Sequence, residues 1–250
     1  MYDGLVSVII PVHNAERFIE DTIASVKSQS YENWEVILVD DASEDGSVRV
    51  IEKYLDDPRF RLVSLEKKSG PANARNAGLN AAKGRFIAFL DADDIWFPDK
   101  LSVQLQFMEE HDCPFSFTSY EYATPDGVGV AKIVRVPARI TYREAIKNTT
   151  IFTSTVIFDR DKLDESLMRM PDVPSEDSAT WWQVLRSGIT GYGLTEPKTL
   201  YRRSDGTLSS NKITAIKRVW NLYRNVEHFN VFYSAYCFFF YAVNAVFRRL

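Results

Sequence analysis

Four short, mainly apolar runs recur at nearly even spacing through the first part of the chain: Leu5–Ile10, Glu35–Val39, Phe60–Leu65 and Phe86–Leu90. Each has the continuous Val, Ile, Leu or Phe content of a strand buried on both faces. Between them the apolar positions switch to helical spacing. In Ala15–Gln29, Phe18, Ile19, Ile23 and Val26 share one face, and Ser47–Leu55 and Pro71–Ala82 read as two further helices. The resulting β-α-β-α-β-α-β order predicts a parallel sheet with right-handed crossovers. In open sheets of this kind ligands meet the residues just past the carboxyl ends of the strands. Here those residues are Pro11–Asn14, Asp40–Ser43, Glu66–Gly70 and Asp91–Asp94.

Farther along, Pro98 to about His111 predicts a helix with proline in its first turn. Phe115–Tyr122 and Val128–Val136 flank Pro125-Asp126-Gly127, a turn signal, and so predict an antiparallel hairpin. A polar stretch, Pro171–Ser178, leads into a helix around Trp181–Arg186 that Gly188 closes. No linker, repeat or low-complexity tract interrupts this pattern, so the expected organisation is one domain over residues 1–210 and a helical appendage over 211–250. Within the appendage, Val231–Phe247 carries Phe232, Tyr233, Tyr236, Phe238, Phe239, Phe240, Tyr241 and Phe247. As a helix it would be roughly 25 Å long at about 1.5 Å per residue, shorter than a hydrocarbon core of about 30 Å. Lys217, Arg218 and Arg224 before it and Arg248 and Arg249 after it suit a helix lying at a membrane surface, its cations near lipid phosphates. The same pattern also serves a helix packed on the domain's own apolar surface or on a second copy in a homodimer.

Composition narrows the function classes. With 250 residues, 45% hydrophobic and 26% charged, the chain can bury a sizeable core, which excludes wholesale disorder and a multi-span membrane protein. Thirty basic and 34 acidic residues leave a net charge of −4, with no global drive toward nucleic acid. Cys113 and Cys237 fit neither a disulfide framework nor a metal site and read as core thiols in a reducing compartment. Met1-Tyr2-Asp3-Gly4 runs straight into the first apolar stretch without the basic region of a secretory signal, so cytosolic residence is expected.

Three carboxylate clusters are the candidate chemistry. Asp91-Ala92-Asp93-Asp94 follows an apolar strand and precedes Ile95-Trp96-Phe97-Pro98. Carboxylates crowded in this way repel one another unless a cation sits among them, and hard oxygen ligands favour Mg²⁺ or Mn²⁺ completed by substrate phosphates. Asp40-Asp41 ends the second strand, where a carboxylate accepts a pyrimidine imide N–H or a ribose hydroxyl, or simply helps to cap the next helix. Glu176-Asp177 opens a helix and is either a cap or a general base for a substrate hydroxyl. Pro11-Val12-His13-Asn14 stands where a glycine-rich phosphate loop would follow the first strand, which excludes dinucleotide oxidoreductases and P-loop NTPases. Diphosphate charge would then fall to metal and to Arg75, Lys67, Lys68, Arg202 or Arg203. His13, His111 and His228 are too scattered to form a site.

Together the motifs resemble those of family 2 glycosyltransferases of the GT-A fold, a Rossmann-like mixed α/β sheet flanked by helices. The resemblance rests on Ser7-Val8-Ile9-Ile10-Pro11-Val12-His13-Asn14, on Val39-Asp40-Asp41-Ala42-Ser43-Glu44-Asp45-Gly46-Ser47, on Gly70-Pro71-Ala72-Asn73-Ala74-Arg75-Asn76-Ala77-Gly78 and on Leu90-Asp91-Ala92-Asp93-Asp94. Past residue 110 it is carried by Ser175-Glu176-Asp177 and by Tyr201–Ser209. It implies inverting transfer of a sugar, in the commonest case a hexose carried on UDP, from a nucleotide diphosphate to an acceptor hydroxyl. Pro11, Val12, Asn14, Asp41, Arg75, Asp91 and Ala92 would then contact the nucleotide, with Asp41 accepting the N3–H that UDP and dTDP share. Asp91 and Asp93 would bind Mn²⁺ or Mg²⁺, Asp93 directly, and Asp177 would be the catalytic base. Glu176, Asp94, Arg202 and Arg203 are further candidates.

The Gln-x-x-Arg-Trp sequence of processive members is absent, since Gln183-Val184-Leu185-Arg186-Ser187 lacks the tryptophan. One sugar per acceptor is therefore expected, on a glycan or polyprenyl-linked acceptor at the inner face of the cytoplasmic membrane, where the enzyme would be peripheral. Two rivals stand beside this reading. A nucleotide-sugar pyrophosphorylase would need the missing glycine-rich segment, and a non-catalytic nucleotide-sugar-binding module would not need Asp93 and Asp177.

Overall fold

The computed structural model describes residues 4–148, 150–203 and 212–247. Ser204–Ser209 of the last resemblance segment, and Arg248 and Arg249, lie outside the described residues. The four apolar runs are strands β1 (Val6–Val12), β2 (Trp34–Asp40), β3 (Phe60–Ser64) and β4 (Phe86–Phe89). They lie side by side in the order β3-β2-β1-β4, all parallel. Side chains alternate between two cores because successive residues of a strand point to opposite faces. Ile9, Ile37, Val39, Ile87 and Phe89 enter one core, while Val8, Ile10, Val36, Leu38 and Ala88 enter the other. The edge strand β3 departs from the expectation of burial on both faces: only Phe60 is buried, because no strand covers its outer side.

Helices α1 (Ile19–Lys27), α2 (Ser47–Glu52) and α3 (Pro71–Ala81) are the crossovers. Helix α1 begins later than the periodicity predicts. The Ala15 and Glu16 N–H groups donate to the Ser47 hydroxyl and the Asp45 carboxylate, so residues 15–18 form a turn locked to the neighbouring loop. Helix α3 approaches the sheet closely through Gly78, where an added Cβ would lie 2.4 Å from Ile9 Cγ2.

After the two-residue strand β5 (Ile95–Trp96) and helix α4 (Lys100–Glu110), the sheet becomes mixed. Strands β6 (Phe115–Ala123) and β7 (Gly129–Val134) form the expected antiparallel hairpin. A strand not foreseen, β9 (Ile157–Asp159), follows the short β8 (Arg139–Ile140) and helix α5 (Tyr142–Ala145) and inserts antiparallel between β4 and β6. Helices α6 (Glu165–Met168) and α7 (Glu176–Arg186) precede the long strand β10 (Gly191–Arg202), which runs parallel to β6 and antiparallel to β5.

Helix α8 (Lys212–Asn221), a π-helical turn (Leu222–Val226) and helix α9 (Val231–Phe247) complete the described chain. Val219, Leu222, Tyr223 and Cys237 are buried in the same core as Trp181 and Trp182, so one face of this region is sewn into the sheet-covering layer. Both cysteines are buried free thiols, as expected. Among the described residues no helix is long and apolar enough to cross a membrane.

Candidate active site

The loops at the carboxyl ends of β1, β2 and β4 are interlocked. Asn14 and Ala42 adopt the left-handed conformation, with φ of 53° and 55°. The Asn14 side-chain carbonyl accepts the Glu44 N–H, and the Asn14 N–H donates to the Ser43 hydroxyl. Asp41 is buried, and its two carboxylate oxygens accept the Ser69 and Gly70 N–H groups at 2.6 and 2.8 Å, fixing the loop that leads into α3. Pro11 and Val12 lie in β1 opposite Val39 and Asp40. Pro11, Val12, Asn14 and Asp41 are thus gathered at one end of the β1–β2 pair.

Arg75 on α3 joins two of the predicted clusters. Its guanidinium donates to Asp91 at 2.6 Å and to Glu176 at 2.8 Å, the second contact spanning 101 residues of sequence. Burial opposes its charge, yet Asp91 and Glu176 outweigh that cost and hold the guanidinium above its ordinary range. Asp177 is therefore held beside the Asp91–Asp94 segment. Ser175 just before it has a φ of 61°, a strained conformation for a non-glycine residue that turns the chain into the first turn of α7.

A short 3₁₀ turn, Thr153–Thr155, closes the site from below. The Thr153 hydroxyl is 3.4 Å from Asp177 Oδ2, and the Ser154 hydroxyl donates to Asp94 while accepting the Asp91 N–H at 3.0 Å. The sequence reading missed these two residues; their only signal is a polar triplet set between apolar runs. Asp94 is fully buried, its other oxygen accepting the Arg202 N–H, and burial together with the charges of Asp93 and Asp91 pushes it well above the usual carboxylate range. It faces inward as a buried hydrogen-bond acceptor. The Arg202 guanidinium is likewise turned away, donating to Asp21 at 2.5 Å. Arg203 is exposed.

Asp93 titrates at about 6, raised by burial and by the charge of Asp91. Asp177 also titrates at about 6, through burial first and the charge of Glu176 second. Among the described residues no group of three or more His, Cys, Asp or Glu side chains could hold a metal alone. Asp91 and Asp93 nevertheless fit a Mg²⁺ or Mn²⁺ ion, which binds through one or two carboxylates with substrate phosphates completing its shell. Their mutual repulsion, which lifts Asp93, is what a cation would relieve.

Comparison with known proteins identifies the family and the fold. The family model described as Glycosyl transferase family 2 matches residues 7–166. Bacillus subtilis TuaG, named for teichuronic acid biosynthesis, is 44% identical over 248 residues, covering 98% of each chain. An Escherichia coli protein named UDP-Glc:alpha-D-GlcNAc-diphosphoundecaprenol beta-1,3-glucosyltransferase WfgD is 39% identical over 224 residues, covering 89% of this chain and 86% of WfgD. Among solved structures, Staphylococcus aureus TarS 1-349 in complex with UDP-GlcNAc superposes with a TM-score of 0.70 at 21% identity, over 96% of this chain and 71% of TarS. The Pyrobaculum calidifontis mannosyltransferase PcManGT, in complex with GDP-Man and Mn²⁺, gives 0.69 at 22% identity, over 92% of this chain and 66% of PcManGT. These two likenesses concern the fold, which is the GT-A fold.

Proposed function

The chain belongs to glycosyl transferase family 2, and from that premise we propose that it is an inverting, non-processive transferase that moves a hexose from UDP to a hydroxyl of a polyprenyl-diphosphate-linked or glycan acceptor. The observation that carries the reading is the Asp91–Arg75–Glu176 link, which sets an Asp177 carboxylate of raised pKa beside the Asp91–Asp93 pair. The names of WfgD and TuaG support the acceptor and cell-surface assignments.

In this reading the nucleotide base lies over Pro11, Val12 and Asn14. Asp41 has lone pairs left beyond its two backbone bonds, and one of these accepts a pyrimidine N3–H. Asp91 and Asp93, with Ala92 between them, would hold a divalent ion, which would supply positive charge to offset that of the leaving diphosphate. Arg75 keeps Asp91 and the start of α7 in fixed relation. Asp177 takes the proton from the acceptor hydroxyl as that oxygen attacks the anomeric carbon opposite the leaving group, and so inverts the centre. A base with a pKa near 6 is ionised at neutral pH yet remains a stronger base than an ordinary carboxylate. The enzyme works peripherally at the inner membrane face, and helix α9 supplies the contact.

Calorimetric titration with UDP and dTDP, with and without Mn²⁺, tests the donor site. Metal-dependent binding that Asp93→Ala abolishes is expected. Absence of binding to either nucleotide would overturn the donor assignment.

A further inference from the structure

Four aromatic rings lie together outside both apolar cores: Tyr120 and Tyr122 on β6, Phe152 just before the 3₁₀ turn, and Tyr201 on β10. Tyr122 and Tyr201 are direct partners in the β6–β10 ladder. Ring centroids are 4.6 Å apart for Phe152–Tyr201, 5.0 Å for Tyr120–Phe152 and 5.6 Å for Tyr122–Tyr201. Every one of the four residues is half-buried, and neighbouring rings are inclined at 44–54° in these three pairs, so the cluster packs on itself and still leaves a faceted apolar area to solvent. Such area gains free energy from any ligand that covers it.

The cluster sits against the reaction centre. Phe152 immediately precedes Thr153, whose hydroxyl reaches Asp177. Tyr201 immediately precedes Arg202, whose N–H holds Asp94. In the sheet order β3-β2-β1-β4-β9-β6-β10, the loops of β1 and β2 that would take the nucleotide are on one side of β4. The aromatic strands β6 and β10 are on the other, so a molecule resting on the rings would approach Asp177 from the side opposite the nucleotide.

Two cations border the rings. The Arg203 guanidinium carbon is 5.2 Å from the Tyr122 ring centre and Lys132 Nζ is 6.0 Å from it. Among the described residues neither is joined to a carboxylate in a salt bridge.

We propose that this surface is the acceptor platform: the C–H face of an acceptor pyranose lies on Tyr122, Tyr201 and Phe152, with Arg203 and Lys132 meeting a phosphate group attached to that sugar. The inference rests on Asp177 being the base that activates the acceptor. Tyr122 suits a sugar because its ring covers C–H groups while its hydroxyl can exchange hydrogen bonds with the sugar's own. Cations beside the rings select a sugar phosphoester over a neutral glycan.

The test uses the full chain and a synthetic probe, decyl diphosphate α-linked to N-acetylglucosamine, with decyl diphosphate lacking the sugar as control. Saturation-transfer NMR should show the pyranose C–H protons in contact with protein, and the sugar-bearing probe should bind more tightly than the control. Phe152→Ala and the bulk-retaining Tyr122→Leu should each weaken the probe about tenfold, the scale of one buried ring face. Arg203→Gln should weaken the probe but leave a decyl glycoside without phosphate unchanged. UDP binding in the presence of Mn²⁺ should be the same in Phe152→Ala and Tyr122→Leu as in the wild type, which also verifies their folding. The platform is overturned if wild-type protein ignores the probe, binds the control equally well, or loses nothing in the ring variants. Loss of UDP binding by the wild type, with probe binding behaving as described, would instead remove the donor reading and leave the platform standing.

Discussion

Asp177 combines a raised pKa with proximity to the Asp91–Asp93 pair, in a helical turn that the chain enters through the left-handed Ser175. In the proposed role of base it must be ionised, so kcat/KM for the donor should fall on the acid side with a midpoint near its pKa of about 6. Asp177→Asn should retain UDP binding and lose transfer by 10²-fold or more, on the order expected for removing a general base; full activity would discard this assignment. Stability supplies a second check. A carboxyl that titrates higher in the folded chain than its ordinary 3.8 favours folding at low pH, and that contribution disappears as pH rises through about 6. Asp177→Asn should therefore raise the melting temperature above pH 6 and have little effect near pH 4. Arg75 is the complementary case: its side chain is 6% exposed and bonded to two carboxylates. Arg75→Ala should cost about 3–5 kcal/mol in urea unfolding, because it leaves Asp91 and Glu176 facing each other without a cation. The placement of Asp41, Asp91, Asp93 and Asp177 at strand ends and a helix start was legible in the sequence, because apolar runs and periodicity fix where those ends fall. Thr153 and Ser154 were not, since their bonds to Asp177 and Asp94 join segments that no local pattern connects.

The element scale shows the same division. Strands β1, β2 and β4 could be read from their apolar runs because both faces of a central parallel strand must be apolar, and the crossover helices followed from periodicity. β9 and β10 escaped for physical reasons. β9 is only three residues long and owes its existence to pairing with β4 and β6. β10 contains Gly191, Gly193 and Pro197, and its ladder with β6 shifts register on both sides of Pro197, an irregularity that accommodates a residue without an N–H. Helix α3 offers a sharp test of packing. Gly78 faces Ile9 Cγ2 and Val39 Cγ2, where an added Cβ would lie 2.4 and 3.2 Å away. Gly78→Ala should destabilise the fold by about 1–3 kcal/mol through overpacking, measured by chemical unfolding. Because α3 also carries Arg75, the variant should raise the donor KM as well; an unchanged KM would mean that the helix can shift without disturbing Arg75.

For the whole molecule, the decisive feature is that the carboxyl-terminal helices have two apolar faces with different fates. Cys237 is fully buried and Phe238 and Tyr241 pack against the core, whereas Phe232 is 89% exposed and Phe239 is 62% exposed. Ile216, Trp220, Tyr236 and Phe240 extend the exposed set, with Lys147 Nζ 4.7 Å from the Tyr236 ring centre. Aromatic side chains beside cations are suited to the interfacial zone of a bilayer, where rings enter the acyl boundary and charges stay with lipid phosphates. Deleting the helix would strip cover from Val219, Leu222 and Tyr223 as well as remove the exposed rings, and so would confound folding with membrane contact. Point substitutions on the outer face separate the two. Phe232→Ser combined with Phe239→Ser should leave the melting temperature within about 2–4 °C, as for exposed positions in a chain of this size, and leave UDP binding intact. In sedimentation with vesicles containing an anionic lipid, wild-type protein should pellet and the double variant should remain largely in the supernatant. Raising the salt should weaken the wild-type interaction without abolishing it, since screening acts on the cations and leaves ring burial in place. Equal pelleting of both proteins would assign the exposed rings to a second copy of the chain, and sedimentation velocity of the wild type should then show a dimer that the double variant lacks.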